Sequence, residues 1–227
     1  MSLFDNLPEN GTKPASQGTI EFPAGLSEKY QPATIDEFVG LEKPKRMFAK
    51  FLQAPYKSAW RFVGPPGTGK TTFAIALAKQ AQWEIKHIPA QECNVQSIAE
   101  VVRQCWYVPK NGTGSFHLVL VDEADKMSNA GQLKLLSILD ATAFPPNTIF
   151  VFTMNSEDGL EPRFLSRTRE VNFSSQGLAE PGAALLESIW TRETASQEKP
   201  NFLRIMRDAK NNVRDAMMSL ETELLAA

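Results

Sequence analysis

The rest of the chain is organised around the eight residues Gly64-Pro65-Pro66-Gly67-Thr68-Gly69-Lys70-Thr71. It satisfies the phosphate-loop pattern G-x-x-x-x-G-K-[ST] at every position. Ahead of it, Trp60-Arg61-Phe62-Val63 reads as a short apolar strand. After it, Thr72 to Ala81 place Phe73, Ala74, Leu77, Ala78 and Ala81 on one helical face. Strand, glycine loop and helix are the context this pattern needs. The glycines let backbone N–H groups converge on an anion, and the helix N-terminus adds partial positive charge. A plain Gly/Pro turn accounts for the glycines but not for the Lys-Thr pair. The stretch therefore predicts a nucleoside triphosphate site built from Pro66, Gly67, Thr68, Gly69, Lys70, Thr71 and Thr72. Lys70 is expected on the β- and γ-phosphates and the Thr71 hydroxyl on Mg²⁺.

The 227 residues are enough for one large domain, or one with a small satellite, and 42% apolar with 22% charged residues is ordinary globular composition. No apolar run approaches the roughly 18 residues of a membrane span, and the first residues lack the pattern of a secretory signal. Cys93 and Cys105 are the only cysteines. They are too few for a four-thiolate zinc site and are expected as reduced thiols of a cytoplasmic protein, with Cys105 in the core. A net charge of −2 gives no global field for nucleic acid.

Residues 1–25 read as a flexible arm broken by Pro and Gly, with a small apolar cluster at Leu3, Phe4 and Leu7. A helix after Pro44 should turn Met47, Phe48, Phe51 and Leu52 inward, and Trp83 to Ile88 should be a strand. Ser97 and Glu100 have capping-box spacing, ahead of an apolar stripe of Ile98, Val101, Val102, Cys105 and Trp106. Asn111 to Gly114 should be a surface turn. Leu118 to Val121 and Ile149 to Thr153 are continuous apolar runs of the kind found in buried parallel strands. Leu133, Leu136 and Leu139 mark the helix between them, and Val171 to Phe173 one more short strand. Beyond Phe173 only helical patterns follow, on Leu185, Leu186, Ile189 and Trp190, then Phe202 to Met206, then Val213 to Leu224. The expected fold is α/β: a nucleotide-binding unit over 26–174 with a parallel sheet flanked by helices, then a small helical lid over 175–227.

Asp122-Glu123-Ala124-Asp125 directly follows a buried strand, which in a phosphate-loop fold ends beside the glycine loop. Asp122 is expected to hold Mg²⁺ and Glu123 to activate water as general base. A solvated acidic turn is the plainer reading of these residues taken alone. Asp125 and Lys126 are expected as surface charges. Asn155 falls just past the next strand, at the same edge, as a turn former or a contact to the γ-phosphate. Arg163 and Arg167 share a helical face, either pairing with Glu161 or Glu170 or reaching a phosphate on a neighbouring subunit. Arg214 begins the last helix, where a first-turn surface charge is the plain alternative.

The order of phosphate loop, D-E-A-D, strand with Asn155, Ser166-Arg167 and helical lid with Arg214 resembles an AAA+ ATPase. It is most similar to the small subunits of sliding-clamp loaders. Their E-K-Y-R-P segment and V-G-Q turn correspond to Glu28-Lys29-Tyr30-Gln31-Pro32 and Val39-Gly40-Leu41, and their S-R-C motif to Ser166-Arg167-Thr168. The resemblance implies Tyr30, Pro32, Val39 and Gly40 around adenine, Asn155 as sensor 1, Arg167 as a finger acting in trans and Arg214 as sensor 2. It implies ATP and Mg²⁺ as cofactors and other AAA+ subunits in a ring or spiral as partners. A sliding clamp or helicase is the candidate client and primed DNA a candidate ligand, with no membrane. Gln31 and Thr168 depart from the usual Arg and Cys, and a helical collar after Ala227 is not expected. Helicase loaders and protein remodellers share this machinery, and an ATP-gated adaptor with little turnover is the alternative of a different class.

Overall fold

In a computed structural model of the protein, residues 24–109, 116–195 and 197–226 are described. The arm with Leu3, Phe4 and Leu7, and the turn Asn111 to Gly114, lie outside the described residues. Five parallel strands form one sheet: β1 (Ser58–Val63), β2 (Glu84–Pro89), β3 (His117–Asp122), β4 (Thr148–Met154) and β5 (Arg169–Asn172), in the spatial order β2-β3-β4-β1-β5. All seven residues of β4 are buried. This is why its run reads as continuously apolar rather than alternating.

The period-2 pleat sorts the strand residues onto two cores. Trp60, Phe62, Leu118, Leu120, Ile149 and Val151 face α2 (Glu42–Gln53) and α3 (Lys70–Gln80). Phe48 and Phe73, both wholly buried, are the centre of that layer, with ring centroids 5.7 Å apart and edge-on to each other. Val119, Val121, Phe150 and Phe152 face the other way, toward α4 (Val95–Gln104), α5 (Asn129–Ile138) and α6 (Pro162–Arg167). A third cluster joins α7 (Ala179–Glu193), α8 (Phe202–Asp208) and α9 (Val213–Ala226) through Leu186, Ile189, Trp190, Met206 and Leu220. Leu26 of the short helix α1 (Leu26–Lys29) is buried in this same cluster, with Tyr30 against it. The segment from Tyr30 to Leu41 thus crosses from the helical cluster to the sheet.

Several local expectations shift. The cap of α4 is Asn94, whose side chain accepts from the N–H groups of Gln96 and Ser97, so Ser97 lies inside the helix rather than capping it. Cys105 is buried as expected, but α4 stops at Gln104 and Trp106 is 53% exposed. Leu133 is also exposed, while Leu136 and Leu139 face the core. Helix α2 starts two residues before Pro44, which its first turn accepts because that N–H needs no helical partner. Asp125, expected at the surface, is half-buried, and its Oδ1 has no hydrogen-bond partner.

Both thiols are free and buried, and burial pushes each up to about 11 from an ordinary value of 9.0. A thiolate is the reactive form. Cys93 and Cys105 should therefore resist a thiol reagent at pH 8 in the folded protein and react fully in denaturant; rapid labelling of either under native conditions would contradict this packing.

Candidate nucleotide site

The carboxyl ends of β1, β3 and β4 carry the site. β1 runs into the glycine loop, whose Gly67 and Gly69 adopt φ of +74° and +85°. L-residues with a Cβ adopt such angles rarely. The loop then turns into α3, so that helix's first N–H groups point into the loop's concave side. Lys70 is buried and donates to Gly64 O (2.7 Å), Pro65 O (2.8 Å) and Asn155 Oδ1 (3.0 Å). Burial pulls its ammonium below the usual lysine value, with Asp125 and Asp122 acting in the opposite sense. An ammonium held by weak neutral acceptors in a half-dry loop is poised to exchange them for phosphate oxygens.

Asp122 is the second centre. Its Oδ1 accepts from Thr71 Oγ1 at 2.6 Å and from Thr153 Oγ1, while Thr153 Oγ1 also accepts from Glu123 N at 3.1 Å. Thr71 and Asp122 thus present adjacent hard oxygens, the donor chemistry that suits Mg²⁺ with its remaining positions filled by water and phosphate. Glu123 sits in the left-handed region at φ +54°, an uncommon conformation for a residue with a side chain. Its carboxylate is half-exposed and pairs with Lys126 at 2.6 Å, which raises the Lys126 ammonium.

Two adjoining cavities share Gly67, Gly69, Thr72 and Arg214. The smaller, about 130 Å³, is lined by Pro66, Lys70, Thr71, Asp122, Glu123 and Asn155 among others. The larger, about 670 Å³, runs between the Tyr30–Val39 segment and the helical cluster and includes Tyr30, Pro32, Val39, Thr68 and Met217. Gly40 stands behind it: a Cβ there would lie 2.4 Å from Leu178 Cδ2, and Leu178 lines the cavity. Tyr30 OH and Lys29 Nζ both donate to Glu193 on α7, joining this wall to the helical cluster. Those bonds hold the Glu193 carboxyl below its usual range.

Sixteen expected positions therefore divide cleanly. Fourteen line the two cavities, Gly40 backs them, and Arg167 lies elsewhere. Arg167 donates to Arg163 O (3.3 Å) and lies 3.5 Å from Asp140 Oδ2, so its carboxylate partner is neither Glu161 nor Glu170. Sequence reasoning missed Thr153, whose only sign was a hydroxyl at the end of an apolar run. It also missed Asn212, the cap of α9, which accepts from the N–H groups of Arg214 and Asp215 and rests on the glycine loop.

Residues 61–175 match the family of ATPases associated with various cellular activities (AAA), and the chain belongs to this family. Replication factor C small subunit 2 of Pyrobaculum aerophilum is 35% identical over 153 residues, covering 65% of this chain and 47% of that protein. Replication factor C subunit 3 of Saccharomyces cerevisiae is 30% identical over 152 residues, covering 64% and 44%. The chain thus matches about half the length of these relatives. A solved structure of the RuvB Holliday junction branch migration motor of Thermotoga maritima superposes with a TM-score of 0.66 at 19% identity, over 85% of this chain and 64% of that one. At that identity the likeness is one of fold.

A Cβ on Gly67 would fall 1.7 Å from Asn212 Oδ1, so glycine is what lets the helical cluster touch the loop. Gly67→Ala should cost at least about 1–2 kcal/mol from its left-handed backbone alone and should weaken nucleotide binding. Adding Asn212→Ala should relieve part of the loss in urea unfolding, because contacting sites couple; strictly additive effects would contradict this contact.

Proposed function

We propose that the protein is an ATP- and Mg²⁺-dependent AAA+ motor of the clamp-loader type, with each site completed by a neighbouring subunit. One observation carries the reading. Lys70, Thr71, Asp122, Glu123 and Asn155 converge on one cavity, while Arg167 of the same chain does not line it and lies beside Asp140. The nucleotide-binding unit spans residues 26–174 and the helical lid residues 175–227.

Adenine occupies the larger cavity between Tyr30, Pro32, Val39 and the lid, with Gly40 supporting the turn. The triphosphate runs along Gly67, Thr68 and Gly69 to Lys70, where the N–H groups of α3 meet its charge. Thr71 and Asp122 hold Mg²⁺, which neutralises β- and γ-phosphate charge when bound. Asn155 takes the γ-phosphate as Lys70 moves from the asparagine to the phosphate. Glu123 leaves Lys126 and accepts the proton of the attacking water, its left-handed backbone turning the carboxylate toward the cavity. Arg214, at the start of α9, ties lid position to phosphate charge. Arg167 enters the neighbour's site, where an added arginine is worth roughly 10³–10⁵ in turnover.

The likeness to replication factor C subunits supports homologous AAA+ subunits as ring or spiral partners, a sliding clamp as client and primed DNA as ligand. The expected location is cytoplasmic; among the described residues no helix is long and apolar enough to cross a membrane.

Glu123→Gln should keep ATP affinity within a few-fold and lower turnover by roughly 10²–10⁴, whereas undiminished turnover would remove Glu123 from its role. Arg167→Ala should bind ATP normally and turn over slowly. Mixing it with Lys70→Ala, whose finger is intact, should restore part of the activity; no restoration would contradict a finger in trans.

A further inference from the structure

Arg61 and Lys70 are the two buried full cations among the described residues, and only Lys70 has a place in the site above. Arg61 stands on β1 three residues before Gly64, 6% exposed. Its Nε donates to Glu157 Oε1 at 2.8 Å, and its Nη1 to Thr168 Oγ1 at 2.6 Å, Thr168 O at 2.9 Å and Leu165 O at 2.5 Å. Glu170 Oε2 lies 3.8 Å from its Nη2. A buried arginine is retained at a cost in desolvation unless its donors are satisfied, and here Nε and Nη1 tie β1 to two other segments, making three in all.

Each segment bears on the site. β1 becomes the glycine loop. Glu157 lies two residues past Asn155. Leu165 and Thr168 flank Arg167 at the end of α6. Carbonyls at a helix C-terminus lack intrahelical donors and carry partial negative charge, so a guanidinium is well placed there. The need is acute in α6, since six residues are too few for a helix to hold itself. Thr168 closes the arrangement: it is buried and its hydroxyl donates to Phe164 O at 2.9 Å while accepting from Arg61. A threonine oxygen accepts such a charge-assisted bond well, and a thiol in its place would accept it weakly. That is a physical reason for threonine where the clamp-loader pattern has cysteine.

We propose that Arg61 is a positioning residue for Arg167, fixing the finger that a subunit offers its neighbour to the strand and loop that hold its own phosphates. Thr168 Oγ1 is the acceptor that completes the fixture. The inference rests on Arg167 acting in trans.

The test uses full-length assemblies of Arg61→Met, Arg61→Lys and Thr168→Val. The last keeps shape and loses only the hydroxyl, so it answers the question if Arg61→Met fails to fold. A finger displaced by about 1 Å costs roughly 10²-fold. Arg61→Met should therefore lower kcat at least about tenfold with ATP affinity changed less than about threefold, and Thr168→Val should lower kcat less. Arg61→Lys should recover little, since one ammonium cannot reproduce the fork. The decisive arm mixes either impaired variant with Lys70→Ala subunits. Their intact fingers should restore turnover in the variant's own sound pockets. A raised KM at unchanged kcat, or no restoration on mixing, would overturn the inference, because damage would then lie in the subunit's own site. Arg167→Ala run in parallel separates the two readings. If it lowers turnover and the Arg61 and Thr168 variants do not, only the positioning role fails. If Arg167→Ala turns over normally, the finger itself is wrong and the positioning role falls with it.

Discussion

The carboxylate of Asp122 is the contact on which the site closes. A single oxygen, Oδ1, accepts from hydroxyls on two different elements, Thr71 at the start of α3 and Thr153 near the end of β4. Because β3 lies beside β4 in the sheet, and β4 beside β1, those bonds lock the register in which three strand ends meet. The rest of the fold makes that meeting rigid. Phe48, Phe62 and Phe73 fix the layer under the glycine loop, and Phe150, Phe152 and Phe164 fix the opposite layer. A carboxylate in this half-buried place would be costly without donors. The two hydroxyls satisfy Oδ1 and at the same time leave Asp122 and Thr71 side by side, where a divalent cation would meet both under the proposed function.

The helical cluster is built differently. It reaches the loop through Asn212 on Gly67, and the wall at Tyr30 through Glu193 on α7. Both contacts are polar, and the cluster's apolar packing takes in Leu26 and Tyr30 but no strand residue, in contrast to the aromatic layers within the sheet unit. An element attached this way can change its position without unmaking a core. The larger cavity lies in that seam, so the nucleotide would itself be the main bond between lid and sheet.

What could be read in the sequence was what is contiguous. The glycine loop, the Asp122-Glu123 pair and the two long apolar strands each declare themselves within a few residues. Periodicity placed the inner faces of α2, α3 and α4, but it carries no information about where a helix stops, so Trp106 was grouped with the core and stands exposed. Asn94 capped α4 where the Ser97–Glu100 spacing suggested another start, since several side chains can cap and only backbone geometry selects one. Arg61 was hidden most completely. It sits in a run of apolar residues, and its partners Glu157, Leu165 and Thr168 are 96, 104 and 107 positions away. No window of local sequence contains that bond.

Under the proposed function one chain supplies a complete pocket and an incomplete catalyst, with the missing arginine coming from a neighbour. The measurement that decides this is ATP turnover per subunit across a wide range of protein concentration at saturating ATP and Mg²⁺. Turnover that climbs with concentration and levels off as assemblies form is the predicted result. Turnover per subunit that is constant from dilute monomer upward would mean that the pocket is sufficient alone and that no neighbour's arginine is needed.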